Sequence, residues 1–200
     1  MKEFENELYN KGIKLIAGID EVGRGPLVGP VVTAAVILKP DFYDERINDS
    51  KKLTPKKREM LYDVILENSI SVGIGISSEK VIDEINILNA TKRAMKEAIN
   101  KLSIKPEHVL IDAVKLDIDI PSTSIIKGDA KSISIASASI IAKVTRDRMM
   151  IELDKIHPEY DFKHNMGYGT KKHIEALYKY GPIKEHRRTF EPVSSIINKL

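Results

Sequence analysis

Two short apolar runs in this chain end on acids and a third acid follows another strand, and acids so placed can either bind a hard cation or build a turn. Ile16-Ala17-Gly18-Ile19 closes on Asp20 and Glu21 before a glycine-rich stretch, and Val109-Leu110-Ile111 closes on Asp112. The segment 123–126 is followed directly by Lys127-Gly128-Asp129. Ligands of α/β sheets gather at the carboxyl ends of strands. Asp20 and Asp112 therefore project into one site if their strands are adjacent and parallel, with Asp129 within reach. Carboxylates converging without a cysteine or a metal-spaced histidine pair suit a hard divalent cation. Without one they repel each other, which raises at least one pKa. Two such ions could activate a water and steady the leaving oxygen of a phosphodiester. Taken singly, each acid has a commoner use as a turn former or helix cap, and Asp129 could simply cap the helix beginning near Ser132. Glu21 adds a condition, because neighbours on a regular strand face opposite ways. It joins Asp20 only if the strand breaks there, as the following glycines permit.

The turn Gly23-Arg24-Gly25 lacks the spacing of a dinucleotide fingerprint, and no phosphate-loop lysine follows it. Two glycines around an arginine allow close backbone approach to a ligand; a flexible hairpin loop is the plainer alternative. Lys51, Lys52, Lys56, Lys57 and Arg58 cluster at the start of a helix. Such a run is usually a solvated face, but the helix N-terminus beside Ser50 and Thr54 adds N–H groups suited to phosphate. His164, His173 and His186 lack zinc spacing and are expected to be structural or phosphate-contacting.

The elements that must position these residues follow from periodicity and punctuation. Strands are expected over 14–20, 31–38, 71–77, 108–112 and 123–126. The first two, joined by a loop, should pair antiparallel. Helices are expected over 55–67, capped by Thr54 with Pro55 at the first position, over 79–102 with a break near 86–89, and over 132–156. Thr170 caps another that stops at Gly181-Pro182. The small residues of 132–139 should let that helix pack tightly on the sheet. The pattern is one α/β domain, 1–200, with a helical C-terminal part from about 157.

Composition narrows the classes. Of 200 residues, 42% are hydrophobic and 30% charged, and there is no cysteine, so disulfides, zinc thiolates and thiol catalysis are excluded. The formal charge of +3 permits nucleic-acid binding without demanding it. The first ten residues do not read as a signal peptide, and the longest nearly uncharged stretch, 25–38, is too short to span a bilayer. A cytoplasmic protein without membrane contact is expected.

Several blocks, in order, resemble the ribonuclease HII family. Gly18-Ile19-Asp20-Glu21-Val22-Gly23-Arg24-Gly25-Pro26-Leu27 is similar to its signature opening. Asn48-Asp49-Ser50-Lys51-Lys52-Leu53, Ile111-Asp112-Ala113 and Lys127-Gly128-Asp129 follow, then the run 134–147, Gly167-Tyr168-Gly169-Thr170 and His186-Arg187-Arg188-Thr189-Phe190-Glu191-Pro192-Val193. The resemblance spans about 15–193. It implies a ribonuclease H-like fold, a five-stranded mixed sheet flanked by helices with a small helical C-terminal part. It also implies an endoribonuclease whose catalytic and metal-binding acids fall on Asp20, Glu21, Asp112 and Asp129, holding Mg²⁺ or Mn²⁺, two ions with substrate bound. Asp129 points to the HII type, since the HIII type typically carries a glutamate there and an extra N-terminal domain.

The implied substrates are RNA–DNA hybrids and duplex DNA containing ribonucleotides, cut to leave a 3′-hydroxyl and a 5′-phosphate. Gly23, Arg24, Gly25 and Tyr168 would read the ribose, with Ser50 and Lys51 as further substrate contacts. Only the 2′-hydroxyl distinguishes a ribonucleotide, and a glycine-flanked turn can approach it closely. Asp161 stands where the family pattern has glycine. No PCNA-interacting glutamine motif is seen, and a monomer is expected. Another ribonuclease H-fold nuclease or transferase acting on DNA, or a non-catalytic hybrid binder, would share parts of the pattern.

Overall fold

The β-branched run 31–38 cannot face water on either side, and every one of its residues is buried. In the computed structural model, which describes residues 1–199 and leaves Leu200 of the expected domain outside, this run is β2 (Val31–Leu38), second in a five-stranded sheet. The others are β1 (Ile16–Val22), β3 (Ser69–Ser77), β4 (His108–Asp112) and β5 (Ser122–Ile125), in the order β3-β2-β1-β4-β5. β1 pairs antiparallel with β2, as the short connection requires, and β2 antiparallel with β3. β1 pairs parallel with β4, and β4 parallel with β5. The mixed sheet is the one the family resemblance implies, and the parallel β1–β4 pairing meets the condition for Asp20 and Asp112 to share a site.

Among the described residues the helices are α1 (Glu3–Asn10), α2 (Pro55–Glu67), α3 (Glu79–Asn100), α4 (Ile133–Ile156), α5 (Phe162–Asn165), α6 (Lys171–Tyr180) and α7 (Val193–Ile197). α3 covers one face through Met95, Ala98 and Ile99, packed on Ala17, Ile19, Val109 and Ile111. α2 and α4 cover the other through Leu61, Ile65, Ala138 and Ile141 against Ala34 and Val36. The first part of α4, 133–142, is buried on all sides, as expected of a helix surrounded by protein. It comes very close to β1: a Cβ on Gly18 would lie 2.1 Å from the Ser134 carbonyl carbon. The predicted break in α3 falls at Asn86, whose φ is +65° and whose side chain accepts from the Asn89 N–H at 3.1 Å.

A satellite core of Leu27, Met150, Tyr160, Phe162, Leu177 and Val193 docks the C-terminal helices beside the β1–β2 loop. α1 has no counterpart in the sequence reading. Its Glu5 is fully buried and accepts from the Ser132 hydroxyl and the Ser134 N–H at 2.6 and 3.0 Å, neutralising the N-terminus of α4.

Candidate active site

The last residues of β1 and β4 paired in register are Ile19 and Ile111, so Asp20 and Asp112 stand one step further on, side by side at the carboxyl edge. Gly18 faces α4, and alternation puts Asp20 on the same side, where the nearby Ser139 hydroxyl favours its charged form. Ser139 Oγ in turn lies 2.9 Å from Ser50 Oγ. Asp20 accepts from the Glu21 N–H at 2.8 Å. Asp112 Oδ1 accepts from the Gly128 N–H at 2.6 Å, which fixes the turn that carries Asp129. Asp129 caps no helix: Ser132 caps α4 by accepting from the Ile135 N–H.

Glu21 reaches this edge by a different route from the one expected. The strand does not break, since Glu21 and Val22 still pair with Thr33 and Val32 of β2. Glu21 points to the α3 side, opposite Asp20, but β4 has ended by then and leaves the edge open. Its carboxylate feels the charge of Asp112 and meets Arg24 Nη1 at 3.4 Å.

Negative charge accumulates here beyond what its neighbours offset. Burial first, then Glu21 and Asp112, pushes the pKa of Asp20, only 6% exposed, well above the usual carboxylate range. Burial also raises Glu21, opposed by Arg24. Burial, then Asp112 and Asp49, raises Asp129. Glu21 Oε2 is buried with no hydrogen-bond partner. Among the described residues no three acidic or histidine side chains are close enough to grip one ion as they stand. The donor set nevertheless fits a hard divalent cation: all oxygen, too negative for its surroundings, with one buried carboxylate oxygen unclaimed.

Beside the acids lies the 23–30 loop. Gly23 has φ +93°, and a Cβ on it would fall 2.2 Å from Arg146 Nε. A Cβ on Gly25 would lie 3.3 Å from Tyr168 Cε1, so the tyrosine ring stands close beside the glycine turn. Tyr168 is 47% exposed, and its carbonyl accepts from His173 Nδ1 at 2.8 Å. Asp161 adopts φ +63°, a conformation natural to glycine and tolerated by aspartate; its carboxylate is bonded to His164 Nδ1 at 2.6 Å.

The basic cluster divides. Lys51, Lys52, Lys56 and Lys57 are exposed, whereas Arg58 turns inward to the carbonyls of Ser50 and Leu53 and lies 3.6 Å from Asp147. Ser50 is buried, its hydroxyl engaged by Ser139. His173 and His186 are buried and bonded to each other, Nε2 to Nε2 at 3.0 Å, so their role is structural. The functional-region residues that the sequence reading left unassigned are Ser139, Arg146 and Arg187. All three stand inside the motif blocks, which was their only mark.

A mixed sheet with acids at the ends of its two central parallel strands defines a ribonuclease H-like nuclease. Consistent with this, the structure of ribonuclease H2 from Pyrococcus horikoshii OT3 superposes with a TM-score of 0.79 at 29% identity, covering 92% of this chain and 97% of that one. A PCNA:RNase HII complex from Archaeoglobus fulgidus gives 0.74 at 26% identity, covering 88% and 95%. The family model for ribonuclease HII matches residues 17–193. A ribonuclease HII from Bacillus cytotoxicus is 63% identical over 201 residues, covering all of this chain and 78% of the relative. The chain belongs to the ribonuclease HII family and is a metal-dependent endoribonuclease.

Proposed function

We propose that the chain hydrolyses the RNA strand of RNA–DNA hybrids and cuts on the 5′ side of ribonucleotides embedded in duplex DNA, leaving 3′-hydroxyl and 5′-phosphate ends. The supporting observation is that the glycine turn adjoins both the tyrosine and the acids: Tyr168 lies close to Gly25, and Arg24 of the same turn pairs with Glu21. Asp20, Glu21, Asp112 and Asp129 would hold Mg²⁺ or Mn²⁺. Bound there, the ions supply an activated water and neutralise charge on the reacting phosphate.

The chain's own residues do the rest. The Glu21 N–H fixes the Asp20 carboxylate, with Ser139, itself bonded to Ser50, close by; the Gly128 N–H fixes Asp112. Gly23, Arg24 and Gly25 approach the 2′-hydroxyl through their backbone. The Tyr168 ring packs on the next sugar, where a second hydroxyl would be crowded. Lys51 meets a backbone phosphate, while Ser50 contributes the turn that carries Lys51.

The test is a DNA duplex with one ribonucleotide, incubated with Mg²⁺ or Mn²⁺ beside an all-DNA control. Cutting only at the ribonucleotide, abolished by Asp20→Asn, is expected. Cutting of the control, or tight binding with no cutting, overturns the proposal.

A further inference from the structure

Two guanidinium groups, those of Arg146 and Arg187, are buried beneath the 23–30 loop. Burying such a group is costly unless its donors are satisfied, and here every hydrogen bond ends on a backbone carbonyl. Arg187 donates from Nη2 to Gly23 at 2.5 Å, from Nη1 to Arg24 at 2.8 Å and from Nε to Gly29 at 3.0 Å. Arg146 donates from Nε to Pro30 at 3.0 Å, from Nη2 to Val28 at 3.0 Å and from Nη1 to Met166 at 2.8 Å. The two side chains thus gather the whole loop and the segment leading to Tyr168.

The direction of two of these carbonyls has a consequence. Across a trans peptide the C=O and the next residue's N–H point opposite ways, and the one cis bond among the described residues is Glu191-Pro192. With the Gly23 and Arg24 carbonyls drawn inward to Arg187, the N–H groups of Arg24 and Gly25 face outward. Both residues are exposed, and among the described residues neither N–H has a backbone acceptor. Tyr168, half-exposed, lies beside Gly25 in the same region.

We propose that Arg187 is a positioning residue for substrate discrimination: it holds the Arg24 and Gly25 N–H groups aimed at the 2′-oxygen of the ribose. This rests on the reading that the 23–25 turn contacts that sugar. Donors fixed before binding cost no reorganisation when the substrate arrives. Lysine cannot replace the arginine, because one ammonium lacks the planar fork that spans three carbonyls.

The experiment uses ¹⁵N,¹³C-labelled protein and a duplex with a single ribonucleotide, with its all-DNA counterpart, in the absence of divalent ions. In the unaltered protein, the Arg24 and Gly25 amides should shift with the ribonucleotide duplex more than with all-DNA. Through-hydrogen-bond couplings should connect the Arg187 side-chain nitrogens to the Gly23 and Arg24 carbonyl carbons. In Arg187→Lys the differential shifts should disappear and kcat/KM on the ribonucleotide duplex fall about tenfold, the order expected for mis-aimed hydrogen bonds. Affinity for all-DNA duplex and for Mn²⁺ alone should stay within about twofold, a pattern that general loosening of the fold would not give. Retained differential shifts in folded Arg187→Lys, or absent couplings in the unaltered protein, overturn the proposal. If the unaltered amides ignore the ribonucleotide, the reading of the turn itself falls. The couplings need no variant, so they decide the matter even if Arg187→Lys does not fold.

Discussion

Asp20 is pressed between a buried environment and two charged neighbours, and burial is the stronger influence on its pKa. An acid whose pKa is higher folded than unfolded binds more protons when folded. Between the two values, stability therefore falls as pH rises, and above both the penalty is complete. Asp20→Asn keeps the shape and removes the charge. In EDTA at pH 7.5 its melting temperature should exceed that of the unaltered protein by several degrees, since about 1 kcal/mol moves a domain of this size by about 2–4 °C. Mn²⁺ should then stabilise the unaltered protein more than the variant, because a ligand of the folded state alone raises its stability. Thermal melts with and without Mn²⁺ check both statements, and a variant that melts lower in EDTA contradicts the first. At this scale, strand-end acids and glycine turns leave local marks in the sequence, so Asp20, Asp112 and the 23–25 turn could be singled out from it. Arg146 and Arg187 could not be read the same way. Their partners are backbone carbonyls, which no residue type announces, and the Arg187 partners lie 158 to 164 positions away.

Among the elements, the contact that fixes the site is the one between β1 and α4, because it sets Asp20 against Ser139. That contact depends on Gly18, whose added Cβ would meet Ser134 backbone, which cannot swing aside. Gly18→Ala should therefore destabilise the protein by about 3 kcal/mol, at the upper end of overpacking costs, and lower the melting temperature by about 10 °C. Circular dichroism melts of the two proteins test it; a loss under about 2 °C would mean that the helix slides easily. The strands and long helices were readable because β-branched runs, proline and threonine caps and the Asn86 break are local signals. α1 was not, because what holds Glu5 in place is the start of α4, 127 and 129 residues on. The course of β1 past Asp20 is hidden from the sequence for a related reason. Glycines at 23 and 25 permit a break, but pairing with β2 continues to Val22.

At the scale of the whole molecule, charge and protonation act together. The formal charge is only +3, so duplex affinity must come from a local surface, for which Lys51, Lys52, Lys56 and Lys57 are available. Affinity should fall as salt rises, and the double substitution Lys51→Gln, Lys52→Gln should flatten the log–log slope by about two. An unchanged slope in a binding titration would place the phosphate contacts elsewhere. Protons act through the buried histidine pair. The Ile183 N–H donates to His186 Nδ1, which leaves its Nε2–H for His173 Nε2, and His173 Nδ1–H donates to the Tyr168 carbonyl. Both rings are therefore neutral in the folded protein. Burial, then the neighbouring His173, lowers the His186 pKa to about 3, and burial lowers that of His173. An unfolded histidine titrates near 6.5, so as pH falls below that value the unfolded chain takes up protons that the folded chain refuses. Stability from these groups is complete above about pH 6.5 and lost toward pH 3, at up to about 1.4 kcal/mol per pH unit per proton. The raised acids act in the opposite sense, so the raw pH profile mixes the two. Comparison with His186→Gln separates them, because the acids are common to both proteins. At pH 7.5 the variant should be less stable by about 1–2 kcal/mol, having lost the acceptor of the Ile183 N–H. The gap should narrow by about 1–2 kcal/mol by pH 5, since only the unaltered protein still loses the His186 contribution as pH falls. Urea unfolding at several pH values measures it, and a gap independent of pH would mean that His186 protonates as readily folded as unfolded.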